Sequence, residues 1–483
     1  MQQVKGRLVD LDRKEIYGCI VHINEAGIIA AIDRDPTRDR SGWYILPGFV
    51  DAHVHIESSM LVPTEFAKLA AVHGTVATVS DPHEIANVLG WRGIEYMLGN
   101  AARTKLSINF GAPSCVPATA FETAGAILDS SAVAQLLEHP QIHYLSEVMN
   151  YPGVLNEDPE VMAKIAAAKK LGKPIDGHAP GLRGEEARRY AAAGITTDHE
   201  CFTEAEARDK LAAGMKIIIR EGSAAKNYTA LHGLIDEFPD QLMFCTDDCH
   251  PDDLVKGHIN RHVIRAIRDG HDLWKVLQIA CRNPVDHYGL HIGRLRVGDP
   301  ADFIQVDDLR SFGIMSTYAK GQKIAEAGAH LLGEFQEETI NHFSCHPKQS
   351  TDFRVPARGS NVRTIVVQDG ELVTRNEWMD ANVVNGFAET APERDLLKIA
   401  VVNRYKDAPP AVGFVKGMKL QRGAMASSVA HDSHNIVAVG IDDESICRVI
   451  NAVIAVEGGI AAGRDEYLEV LPLPVAGIMS NER

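Results

Sequence analysis

Two histidines two residues apart, His53 and His55 in DAHVH, are the first residues in this sequence whose type and spacing suit chemistry. On an extended strand, residues two apart project from the same face, so both imidazoles point the same way. Imidazole suits zinc, iron, nickel and other borderline metals. Four further metal-type side chains follow at what read as strand ends: Glu147 in YLSEVMNY, His178 in PIDGHAP, His199 in TTDHE and Asp247 in FCTDD. Singly, each has an ordinary explanation, His178 as a capped loop histidine and Asp247 as a helix N-cap. The ordered set is harder to explain that way. An H-x-H pair followed by Glu, His, His and Asp, with room for one or two strand–helix units in each gap, fits ligands that converge on a metal from different strands.

Other polar residues cluster beside these. His83 lies in SDPHE after a strand and reads as a proton carrier or as a loop histidine held by Asp81. Glu57 and Glu84 stand close by in sequence. The run Arg220-Glu221-Gly222-Ser223 follows an apolar strand and is a candidate lining for a substrate pocket. His431 and His434, in HDSHN far from the rest, read either as contacts to substrate or an extra metal, or as a polar turn between strands.

The elements that must position these residues alternate. Between about 47 and 290, strand candidates (GTVATVSD, IHYLSEV, KPIDGH, ITTDH, MKIIIREGS, LMFCTDD) are separated by helix-like stretches (TEFAKLAAVH, PEVMAKIAAAKKLG, GEEARRYAAAG, EAEARDKLAAG). That alternation predicts a parallel α/β sheet. Residues 1–46 and 291–335 read as short strands and turns of one small β-rich side domain. A polar stretch near 331–360 reads as a linker. Residues 361–483 combine strands (RTIVVQDG, KIAVVNRY, HNIVAVGI) with the helix-like SICRVINAVIAVEGG, an α+β accessory domain.

Bulk properties narrow the class. The 483 residues suit a barrel of roughly 250 residues with accessory domains. Hydrophobic residues at 45% and charged residues at 24% are ordinary for a soluble globular chain. A formal charge of -16 argues against nucleic acid as partner, since phosphate neutralisation needs a basic surface. Eight scattered cysteines without a C-x-x-C pair predict free thiols and a cytoplasmic setting. No apolar run suggests a signal core or a membrane span.

Taken together, PGFVDAHVHIE, DGHAP, TTDHE and FCTDD resemble the amidohydrolase superfamily. HVHIESSMLVP, GTVATVSDPHEIANV, YLSEVMNYPGV and SSVAHDSHN look like the adenine deaminases within it, over roughly residues 40–483. The resemblance implies a (β/α)8 TIM-type barrel with a small β-sandwich side domain and a C-terminal α+β domain. It implies two divalent metals per subunit, Mn or Fe first and Zn or Co as substitutes. His53 and His55 would hold one metal, His178 and His199 the other, Glu147 would bridge, and Asp247 would be final ligand and proton shuttle. The implied reaction is hydrolysis of adenine to hypoxanthine and ammonia, with His83 first among Glu57, Glu84 and Glu221 as the group that protonates the ring. A homodimer is expected, and further sequence beyond LPLPVAGIMSNER is expected from the family.

Other readings stay open at this point. A different amidohydrolase, acting on another aminopurine or a cyclic amide, is opposed by Glu147 standing where many members carry a carboxylated lysine. A non-catalytic metal-binding barrel has no need of Asp247 beside an open metal. A nucleic-acid deaminase would carry H-x-E…P-C-x-x-C, which is absent.

Overall fold

The computed structural model describes residues 1–336 and 338–481. Its chain falls into two compact units. The first comprises Met1–His83, Glu95–Cys115 and Leu128–Gln336, and the second Glu84–Ile94, Val116–Ile127 and Glu337–Arg483.

The first unit holds eight parallel barrel strands: Phe49–His55, Thr75–Ser80, Ser107–Ala112, Ile142–Val148, Ile175–Gly177, Thr197–Asp198, Lys216–Arg220, and a broken eighth strand, Leu242–Cys245 with Asp247–Asp248. Neighbours run parallel from the first strand to the fifth and from the sixth to the eighth. Two joints close the ring. The Thr196 N–H donates to the Ile175 carbonyl at 2.8 Å between the fifth and sixth strands. Asp247 and Asp248 pair with Val54 and His55 between the eighth and the first. The first strand is buried along its whole length, as expected of a parallel strand covered on both faces. Val50, Ala52, Val76, Val79, Ile218 and Met243 belong to one buried cluster with Tyr144 and Tyr288.

A second sheet of the same unit carries the N-terminal strands. Tyr44–Pro47 pairs antiparallel with Phe303–Val306 and parallel with Gln2–Asp10, so residues from both ends of the barrel sequence share one eight-stranded sheet. Pro47 and Gly48 then lead directly into the first barrel strand, which fixes the register of His53 and His55.

The second unit is built on another eight-stranded sheet, running from Arg375–Asp380 at one edge to Tyr467–Pro472 at the other. Helix Asp443–Ala455 packs Ile446, Val449, Ile450 and Val453 against Ala400, Ala426, Ala438 and Ala461. The small alanines let the helix approach the sheet closely. Each of those helix side chains is worth about 1.5–3 kcal/mol on burial. Two excursions from the barrel sequence cluster here. The Gly125 N–H donates to the Asn87 carbonyl at 2.7 Å, and the Asn435 amide donates to the Thr123 carbonyl at 2.8 Å. The stretch expected as a linker is in part packed: Phe353 is fully buried in the helix–sheet core, and the Ser344 N–H donates to the Arg404 carbonyl at 2.7 Å.

Gly222 shows how tightly the ring closes. A Cβ there would lie 1.9 Å from the Thr246 carbonyl oxygen and 2.5 Å from that of Asp248, both backbone atoms of the eighth strand. Gly222→Ala is therefore expected to cost about 1–3 kcal/mol by overpacking. Differential scanning fluorimetry will show this as a lowered melting temperature, whereas a parent-like midpoint would mean the strand end yields freely.

Candidate metal centre

His53 and His55 occupy alternate positions of the first strand, so both reach the mouth formed by the strand C-termini, the face on which such barrels place their chemistry. Glu147 comes from the end of the fourth strand, His178 from just beyond the fifth, and His199 from just beyond the sixth. Asp247 sits at the break in the eighth with φ +54°. The strand break turns the Asp247 carboxylate toward the two histidines of the neighbouring first strand.

Glu147 is the hub. Its Oε1 lies 3.2 Å from His55 Nε2 and 3.4 Å from His83 Nδ1, and its Oε2 lies 2.6 Å from His178 Nδ1 and 3.2 Å from His199 Nε2. Asp247 Oδ1 faces His55 Nε2 at 3.1 Å and His53 Nε2 at 3.5 Å. The His53 and His199 rings stack at 4.1 Å. All six side chains are buried except His178, which is 27% exposed and stands at the opening.

The donor chemistry fits a cation. Both ring nitrogens of His199 and Nδ1 of His53 are buried without a hydrogen bond, although His199 Nε2 points at the carboxylates of Glu147 and Asp247. A lone pair aimed at carboxylate oxygens is repulsive unless a proton or a metal lies between. Overlapping sets of three or four donors lie within 4.8 Å of one another: His53, His55 and Asp247; His53, Glu147 and His199; His178, His199 and Glu200; His55, Asp81, His83 and Glu147.

The electrostatics follow from the same contacts. Burial works against charge on Glu147, but His178, His199 and His55 outweigh it and hold the carboxyl well below the usual range. Burial likewise opposes charge on His178, yet Glu147 holds the imidazole up at about 9. Asp247 is also buried. There the Arg220 guanidinium, then His53 and His55, keep the carboxyl well below its ordinary value.

The remaining sequence candidates have specific places. Arg220 is a buried cation whose Nη1 pairs with both Glu200 and Asp247, so its charge is spent on carboxylates rather than presented to a pocket. Glu221 pairs with Arg265, and the Ser223 hydroxyl donates to Asp253 at 2.9 Å, which turns both toward the following helices. Glu57 is buried in the turn after the first strand. His83 Nδ1 lies 3.0 Å from Asp81 Oδ2. In the second unit, His431 and His434 both hold Glu84, the latter through Nε2 at 2.5 Å.

Sequence reading overlooked Glu200 and Asp51, and anticipated Asp81 as the group that holds His83. Glu200 lies 3.6 Å from His199 Nε2 and 3.9 Å from His178 Nδ1, and its signal was its position next to His199. Asp81 carries His83. Asp51 accepts from the His53 N–H at 3.2 Å and from the Thr246 N–H and hydroxyl at 3.1 and 2.5 Å, tying the first strand to the eighth.

Comparison with known proteins gives the family context. The Amidohydrolase family profile matches residues 44–328, and the Adenine deaminase C-terminal domain profile matches residues 371–483. The chain is 53% identical over 480 residues to an adenine deaminase of Salinibacter ruber, covering 99% of this chain and 87% of that one. It is 54% identical over 480 residues to an adenine deaminase of a Sulfurovum species, covering 99% and 88%. Among solved structures, a β-aspartyl dipeptidase from Fervidobacterium islandicum superposes with TM-score 0.51 at 15% identity, covering 68% of this chain and 98% of that one. An adenosine deaminase from Xanthomonas campestris with bound zinc superposes with TM-score 0.50 at 15% identity, covering 69% and 94%. At such identity these two structures speak to the barrel fold alone.

The His178–Glu147 pair predicts a pH dependence. In the metal-free protein its stabilisation is fully present below the ordinary imidazole value of about 6.5. It is lost as pH rises through about 9, the folded-state value of His178. A metal ligated by His178 must displace that proton. Metal affinity is therefore expected to rise between pH 6.5 and 9 with proton release on binding, measured by calorimetry in buffers of different ionisation enthalpy. A pH-independent affinity without proton release would contradict it.

Proposed function

The chain belongs to the adenine deaminase family of the amidohydrolases, and from that footing we propose how its barrel mouth converts adenine and water to hypoxanthine and ammonia. The observation that carries the reading is Glu147, whose Oε1 faces His55 at 3.2 Å, His83 at 3.4 Å and His53 at 4.0 Å, while its Oε2 faces His178 and His199.

Two divalent metals would be held per subunit, one by His53 and His55 and the other by His178 and His199, with Glu147 available to both and Asp247 as the last ligand. Mn or Fe would be the metal of first choice, and Zn or Co could substitute, since a mixed imidazole and carboxylate set accepts all four. When bound, such a metal lowers the pKa of water from 15.7 toward about 7 and so makes hydroxide available at neutral pH.

The side chains supply the rest. Asp247 is ionised under the influence of Arg220, so it can take a proton from the attacking water as oxygen adds to C6. It returns that proton to the C6 amino group, which leaves as ammonia. Negative charge builds on the ring during addition. We take His83, held by Asp81 and 3.4 Å from Glu147, as the group that protonates a ring nitrogen and recovers a proton from the C6 hydroxyl as ammonia leaves and the carbonyl forms. The burial of His53, His55, Glu147, His199 and Asp247 keeps bulk water from competing for these protons.

Eight free cysteines support a cytoplasmic setting. No described helix is long and apolar enough to cross a membrane.

The test is ammonia release from adenine by Mn-loaded protein beside an Asp247→Asn variant, with metal content measured in both. Robust release by the parent and a loss of about 10²–10⁴-fold in the variant is expected, the range for positioned proton transfer. Parent-like turnover by Asp247→Asn would remove Asp247 from the proton path. A metal-loaded parent without ammonia release would overturn the substrate.

A further inference from the structure

A buried ion triad behind the His178 and His199 side of the centre is not used by the chemistry above. Lys210, on helix Glu204–Ala212, is fully buried. Its ammonium donates to Asp198 Oδ2 at 3.1 Å, to Glu206 Oε1 at 2.9 Å and to the Ala179 carbonyl at 2.7 Å. The two carboxylates in turn hold backbone. Asp198 accepts from the Ala179 N–H at 3.0 Å and the Glu200 N–H at 2.7 Å. Glu206 accepts from the Gly181 N–H at 2.8 Å and the Phe202 N–H at 3.0 Å.

The four N–H groups belong to two segments, the one just after His178 and the one just after His199. One ammonium therefore cross-links the two segments that carry the ligands of one half of the centre. The other half is held by a separate device, Asp51, which binds the His53 and Thr246 backbone and stands 3.0 Å from His258 Nε2. Burial disfavours charge on Lys210, but Asp198 outweighs that and the ammonium stays protonated.

We propose that Lys210 is a positioning residue that sets the affinity of the metal held by His178 and His199, independently of the metal held by His53 and His55. The inference rests on the two-metal reading given above. Partners behind metal ligands typically contribute 10–100-fold in metal affinity, and a triad confined to one half should act on that half alone.

The test is titration of metal-stripped protein with Mn(II), with free Mn(II) followed by electron paramagnetic resonance. Lys210→Met is one variant. Because it leaves two buried carboxylates uncompensated, a second variant, Lys210→Met with Asp198→Asn and Glu206→Gln, removes all three charges, each amide keeping one of the two oxygens that accept from backbone. The parent is expected to bind two equivalents. The triple variant is expected to keep one site at parent affinity and weaken the other by about 10–100-fold, with excess Mn(II) restoring occupancy. Two sites at parent affinity, or equal weakening of both, overturns the positioning role. A parent that binds a single equivalent overturns the two-metal reading, and this inference with it.

Discussion

One carboxylate, Glu147, carries the organisation of this protein. It is buried at the end of a barrel strand with imidazoles facing both oxygens, a position tolerable only with compensating positive charge. Protons supply that charge in the metal-free protein, and His178 accordingly holds its proton up to about 9. A metal at this site would replace those protons with a stronger and more localised charge. The barrel is the means by which four other strands bring their ends to the same carboxylate.

Around that hub the molecule fixes geometry with buried ion pairs. Arg220 neutralises Glu200 and Asp247 together. Asp51 ties the first strand to the closing strand. Lys210 ties the segments after His178 and His199. Each device is costly to bury, and a buried salt bridge is weak support for stability by itself. Their value lies in holding ligand-bearing segments that are short: the sixth strand is only Thr197–Asp198, too brief to be rigid through its ladder alone.

Much of this was legible in the sequence, for identifiable reasons. Strand alternation places His53 and His55 on one face, and a barrel gathers strand ends, so residue type and position together pointed to the six side chains the structure brings together. Partner choice was not legible. Arg220 reads as a pocket residue because nothing local announces that Glu200 and Asp247 converge on it from two other strands. Glu221 and Ser223 read the same way until the following helices supply Arg265 and Asp253. The excursions 84–94 and 116–127 lie inside the barrel sequence yet cluster with the C-terminal unit. His431 and His434 hold a glutamate about 350 residues earlier, a contact without local periodicity. Local pattern reveals which face a residue occupies; the long-range partner emerges only from the closed fold.

The central claim, that Glu147 is shared between two metals, is tested most directly by anomalous X-ray diffraction at the manganese edge from crystals of Mn-loaded protein. The account predicts two peaks per chain, one beside each carboxylate oxygen of Glu147, the first against His53 and His55 and the second against His178 and His199. A single peak, or two peaks of which neither touches Glu147, would contradict it.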